Sequence, residues 1–224
     1  MFAIIPYEVR TLFQRSPWGN IAVLATTVIV FLLLVGGALP EEMIEAMILD
    51  GWAPIGFLGY QLLHAGWWHL IGNMIFLWVF GNAICGVMNS FAYAGLYAAL
   101  GVAAGAVHVL CDGNPAVGAS GALCGIMGVY LAIYPLNRVN CLWWFMIRGG
   151  TFGVPGWLLI VFWFALDLWG AFGTSTNVAH WAHLGGTVAG FGAGLLLLKF
   201  NVIDLFDYDH PTVLGLLQRQ RSNS

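Results

Sequence analysis

The sequence predicts an all-α, polytopic membrane protein: a bundle of six transmembrane helices with both termini on the cytoplasmic side. Three observations predict it. The chain is 60% hydrophobic and only 8% charged, a balance outside that of water-soluble domains. Its apolar residues gather in six stretches, about 19–39, 67–88, 91–111, 118–136, 156–173 and 178–199, each near the roughly 20 residues that a helix needs to cross hydrocarbon. These stretches also lack the alternation of barrel strands, so helices, which satisfy their backbone groups internally, are the expected element.

The first stretch carries no charge from Ile21 to Leu39 and ends at Pro40-Glu41-Glu42 rather than at a small-residue cleavage site. It reads as a retained membrane helix and not a signal peptide. A loop over about 40–66 follows. The second stretch opens on Trp67-Trp68-His69 and carries Asn73, the third runs from 91 to 111, and the fourth opens on Gly118-Ala119-Ser120-Gly121. The fifth carries Asp167, and the sixth carries His180 and His183 near its start. No internal repeat, low-complexity tract or linker divides the chain. The expected organisation is a cytoplasmic segment over 1–17, one six-helix membrane domain over 18–200 and a cytoplasmic tail over 201–224, whose acidic run Asp204 to Asp209 reads as solvated.

Cytoplasmic loops collect Lys and Arg. With six crossings and the N-terminus inside, Arg10, Arg15, Arg138, Arg148, Lys199, Arg219 and Arg221 all fall on the cytoplasmic side, while Glu41, Glu42, Glu45, Asp50 and Asp112 fall outside. The helices bearing His69, Asn73, Ser120 and His183 then all begin on the outer side. At 1.5 Å per residue their side chains cluster roughly 5–10 Å below the outer surface, within reach of a water-filled cavity.

Each group has chemistry to match. Ser120 needs a base to become a nucleophile, and a neutral His183 can serve as one. His69 and Asn73, four apart, share a helix face and can both donate to an oxyanion, joined by the Ser120 backbone N–H at a helix start. Asp167 is counted to the middle or inner half of the fifth helix, which favours a Ser-His dyad over a triad. Gly121, Gly125 and Gly128, with Gly186, Gly190 and Gly194, have the spacing that lets helices approach closely. Simpler readings stand beside these: a serine after Gly-Ala is commonly a helix cap, a buried Asn or His commonly bridges helices, and small-residue faces commonly serve packing alone.

Taken in order, His64-Ala-Gly-Trp-Trp-His69-Leu-Ile-Gly-Asn73, Gly118-Ala-Ser120-Gly121 and Ala182-His183-Leu-Gly-Gly186 resemble the motifs of the rhomboid family of intramembrane serine proteases, over roughly residues 18–200. The resemblance implies a catalytic dyad of Ser120 and His183, an oxyanion hole including His69 and Asn73, and supporting roles for His64, Gly118, Gly121 and Gly186. It implies transmembrane protein substrates cut in or near their membrane segments, in a lipid bilayer, with no cofactor, metal or nucleic acid. A peptide bond inside a helix is sheathed by its own hydrogen bonds, so substrates that unwind locally are the expected ones. The expected setting is a bacterial cytoplasmic membrane, with the site opening toward the outer face.

The chain departs from the family pattern twice. The first loop has Trp52-Ala53-Pro54 and no Arg, where many members carry a Trp-Arg pair. One turn after Ser120, where some members place an aromatic that stacks on the catalytic histidine, stands Cys124; Trp181, His180 or backbone is then left to orient His183. Cys85, Cys111, Cys124 and Cys141 lack Cys-x-x-Cys spacing and are expected as free thiols. No His-Glu-x-x-His motif or carboxylate accompanies the histidines as metal ligands. Tryptophans near helix ends, such as Trp18, Trp67, Trp68, Trp143 and Trp144, read as interfacial belts. Two other functions fit less of the sequence. An inactive rhomboid-like protein that binds membrane helices would be expected to lack Ser120 or His183, and a small transporter would need polar residues on the inner half as well.

Overall fold

A computed structural model describes residues 2–9, 11, 15–145, 148–173, 178–203, 205 and 211–222. The elements are β1 (Phe2–Val9), α1 (Trp18–Val35), α2 (Glu41–Met47), α3 (Pro54–Gly59), α4 (Trp67–Cys85), α5 (Ser90–Cys111), α6 (Ser120–Ile133), β2 (Arg138–Phe145), β3 (Arg148–Pro155), α7 (Gly156–Phe172), α8 (His180–Lys199) and α9 (Val213–Ser222). Among the described residues, α1, α4, α5 and α8 are long and apolar enough to cross a membrane, and α6 and α7 are shorter apolar helices. The predicted stretches and these six helices coincide to within a few residues.

Three strands correct the all-α reading. β1, β2 and β3 form an antiparallel sheet in that order, so the N-terminal segment is an edge strand paired with the connection between α6 and α7 rather than a loose appendage. Pro6, which has no N–H to give to the ladder, sits where the β1–β2 register shifts between Pro6 and Glu8, as expected of proline in an edge strand. Asn140 Nδ2 donates to Glu8 Oε2 at 2.7 Å across the pair. The short helices α2 and α3 fold the long first loop against α5, where Leu49, Phe57 and Tyr60 form a small buried cluster. The acidic run 204–209, apart from Leu205, lies outside the described residues.

Helix α6 is the centre of the molecule, buried along nearly all of its 14 residues and packed most extensively on α8. Glycine makes that contact possible. A Cβ at Gly186 would run into the carbonyl oxygen of Gly121, one at Gly190 into that of Gly125, and one at Gly128 into that of Thr187. Within a membrane, close backbone approach of this kind drives helix association in place of a hydrophobic effect that lipid removes. Helix α1 is tied in by polar groups instead. Asn20 Nδ2 donates to Leu77 O at 2.9 Å and to Asn82 Oδ1 at 2.8 Å, and Tyr93 Oη donates to Asn20 Oδ1 at 2.6 Å. Leu77 opens a π-helical stretch of α4, Leu77–Gly81, so Asn20 ties α1 to the point where that helix widens.

Helix α7 is held differently at its two ends. Its buried residues, Gly156, Leu159 and Ile160, all lie in the first turns, where Gly156 N donates to Asn137 O and Trp157 N to Pro135 O just past the end of α6. Toward its other end, Leu166, Leu168, Trp169 and Phe172 are exposed, a lipid-facing pattern for a membrane helix. Trp18, Trp67, Trp68 and Trp144 are likewise exposed near helix or strand ends, in accord with the interfacial reading.

Candidate active site

Ser120 is the first residue of α6 and does not cap it: Ala119 holds the N-cap position and no side chain caps this helix. The serine side chain turns to α8 instead. Ser120 Oγ lies 2.8 Å from His183 Nε2, so the simplest alternative for this motif, a capping serine, is set aside. Gly118, two residues earlier, has φ +131, a conformation that only glycine adopts readily. A Cβ there would also crowd the His69 ring, with Cε1 and Nε2 each at 2.8 Å, and would lie 3.7 Å from Ser120 Oγ. The Gly118 N–H donates to Tyr60 O at 2.8 Å, which fixes the turn that delivers Ser120.

The other expected residues gather around this pair. Asn73, Ser120 and His183 line a cavity of about 370 Å³ together with Gly72, Phe76, Cys124 and Asp167. Asn73 Nδ2 donates to His69 O one turn back at 3.0 Å, while the Ala65 N–H donates to His69 Nδ1 at 3.4 Å. His69 is beside Gly118 rather than in the cavity wall. His64 does not reach the serine: its ring packs on that of His69 with centroids 5.0 Å apart, and it is 2% exposed. Burial, and secondarily neighbouring His69, pushes the His64 imidazole down to about 4 despite its contact with Leu62 O, so it is a neutral buttress for His69. Gly121 and Gly186 meet where α6 and α8 touch, one turn or less from Ser120 and His183.

Asp167 corrects the reading that no acid accompanies the pair. Its Oδ1 lies 2.8 Å from His183 Nδ1 and 2.8 Å from His180 Nδ1. The depth count placed it in the middle or inner half of its helix, but α7 starts beside the end of α6 and finishes beside the start of α8, so residue 167 belongs to the same end of the bundle as Ser120. Of the three candidates for orienting His183, His180 belongs to this group, whereas Trp181 packs edge-on against Phe172 with centroids 5.4 Å apart. Thr187 Oγ1 adds a hydrogen bond to His183 O at 2.9 Å. A carboxylate therefore does stand with the histidines: donor atoms of Cys124, Asp167 and His183 lie within 4.8 Å of one another. All four cysteines are free thiols, and Cys141 lies in β2.

A helical bundle with apolar, membrane-length helices and a serine hydroxyl beside an imidazole in a cavity defines a class: an integral membrane protein with a polar site among its helices. More particularly, the chain belongs to the rhomboid family, whose Rhomboid domain model matches residues 51–200. The family generally comprises intramembrane serine proteases. The chain is 29% identical over 155 residues to Rhomboid protein 1, mitochondrial, of Saccharomyces cerevisiae, covering 65% of this chain and 42% of that protein. It is 30% identical to RHOMBOID-like protein 5 of Arabidopsis thaliana over 72% of this chain and 48% of the relative. It is 29% identical to Rhomboid protease GluP of Bacillus subtilis over 61% of this chain and 24% of the relative. The matched region thus spans less than half the length of each of these relatives.

Proposed function

We propose that this protein is an intramembrane serine endopeptidase that cuts membrane-anchored proteins in or near their transmembrane segments, with Ser120 as nucleophile and His183 as general base. The observation that carries the reading is the 2.8 Å approach of Ser120 Oγ to His183 Nε2 within a cavity that also presents Asn73. His183 takes the Ser120 proton as Oγ attacks the scissile carbonyl carbon. The carbonyl oxygen becomes an oxyanion, received by the Ser120 backbone N–H at the uncapped start of α6 and by Asn73 from the cavity wall, with His69, whose ring lies against Gly118 at the cavity's edge, as the further proposed donor. His183 then hands the proton to the leaving amine, and water enters by the same base to release the acyl group and restore Ser120. No step calls for a metal or cofactor.

In this reading α1, α4, α5, α6, α7 and α8 are six crossings, with both termini cytoplasmic and the site open to the outer face. The basic residues support that orientation. The 14 residues of α6 reach about 21 Å against a hydrocarbon core of about 30 Å, which leaves room for its starting residue, Ser120, to lie below the surface. The occupants of the site are transmembrane substrates whose helices unwind locally. A bacterial cytoplasmic membrane is the proposed compartment; the relatives include both bacterial and mitochondrial proteins.

A fluorophosphonate probe tests the nucleophile without knowledge of a substrate. The wild type in liposomes is expected to be labelled and to cleave a transmembrane reporter, and Ser120→Ala to do neither. Labelling or cleavage that survives in Ser120→Ala would overturn the assignment, and a wild type that binds the reporter without either would support the membrane-helix-binding reading. Asn73→Ala is expected to lower kcat on the order of 10²- to 10³-fold, the size typical of a lost oxyanion donor, measured by reporter cleavage at saturating substrate. A change confined to KM would remove Asn73 from that role.

A further inference from the structure

We propose that Asp167 is a positioning residue that completes a Ser120–His183–Asp167 relay, with His180 as a second imidazole clamping the same carboxylate oxygen. The inference rests on the protease reading above and departs from the two-residue dyad that the family resemblance implies.

The geometry assigns each proton. A carboxylate accepts and does not donate, so both ring contacts at Asp167 Oδ1, 2.8 Å from His183 Nδ1 and 2.8 Å from His180 Nδ1, are N–H donations to it. With its proton on Nδ1, neutral His183 is left with a bare Nε2, and that atom is the one 2.8 Å from Ser120 Oγ. Asp167 thereby selects the one tautomer in which His183 can receive the serine proton. Once that proton arrives, the imidazolium stands against a carboxylate in a setting where the side chains of His180, Asp167 and His183 are only 16%, 18% and 15% exposed, so water screens the attraction little.

Two further features support the arrangement. Gly170, one turn beyond Asp167 on α7, makes room for His180: a Cβ there would collide with its ring. Cys124, one turn after Ser120 on α6, has a small side chain that lines the cavity alongside Asp167 and His183.

Reporter cleavage in liposomes by Asp167→Asn, Asp167→Glu and His180→Gln tests the proposal. Asparagine offers an amide that donates toward Nδ1 and favours the wrong tautomer, so Asp167→Asn is expected to lose kcat on the order of 10²- to 10⁴-fold with KM and thermal midpoint kept. Asp167→Glu is expected to recover part of the loss, and His180→Gln to cost less than Asp167→Asn. Nitrogen-15 histidine resonances give a readout that holds whether or not any substrate is cut: His183 is expected to show a protonated Nδ1 and a bare Nε2 in the wild type, and to lose that pattern in Asp167→Asn. Cleavage by Asp167→Asn at the wild-type rate while Ser120→Ala is inactive would overturn the proposal and leave the protease reading standing. A loss in Asp167→Asn that appears only in KM or thermal midpoint, or an unchanged histidine pattern, would overturn it equally. Wild-type inactivity toward both reporter and probe would instead sink the protease reading.

Discussion

Reporter cleavage is expected to fall by on the order of 10⁴-fold or more in Ser120→Ala, and by about the same factor in His183→Ala and in the double variant, because residues that act as one unit are not additive. The 2.8 Å contact is the reason. An alcohol without a base is too weak a nucleophile to attack an amide, and a base without its alcohol has no proton to take. What survives is binding and the oxyanion donors at the start of α6, which act on whatever water reaches the cavity. Initial rates across the three variants check this directly. A double variant whose loss is the product of the single losses would mean that the two residues work independently, and the proposed pair would fail.

Gly190→Val is expected to destabilise the protein by on the order of 3–5 kcal/mol, with Gly192→Val as its control. At Gly190 a Cβ would be driven into the carbonyl oxygen of Gly125, with the Gly125 carbonyl carbon at 2.6 Å and its Cα at 2.8 Å. All three are backbone atoms of the central helix and have no rotamer by which to yield. Relief requires α6 and α8 to move apart, and with them Ser120 from His183. Gly192, two residues along, faces open space with nothing within 4 Å, and its replacement is expected to leave stability almost unchanged. Thermal unfolding in detergent, with probe labelling of the folded fraction, separates the two positions. Equal midpoints for both variants would show that the close approach is not what holds these helices together.

Much of this was readable along the chain because hydrocarbon imposes a strong pattern. Six apolar runs can satisfy their backbone only as helices, and His69 and Asn73, four apart, share a face in any helix. The sheet was not readable for local reasons. β1 is interrupted by Pro6, β2 contains Trp143-Trp144, which also suits an interface belt, and β3 has three glycines among eight residues. Asp167 was missed by its depth. The alternating crossings already run the fifth stretch from the inner to the outer side, and Asp167 lies past the middle of Gly156–Phe172, nearer the outer end than the count allowed. The role of His180 was hidden because its partner is thirteen residues away on another helix.

The uneven anchoring of α7 divides the site into two mechanical parts. Ser120 and His183 ride on α6 and α8, whose backbones touch at glycine after glycine, so their spacing is as stiff as the core itself. Asp167 arrives on the far half of a helix whose buried residues lie only in its first turns. The carboxylate's grip on His183 therefore depends on what α7 and α8 share at this end: Asp167 with His180 and His183, and Phe172 against Trp181.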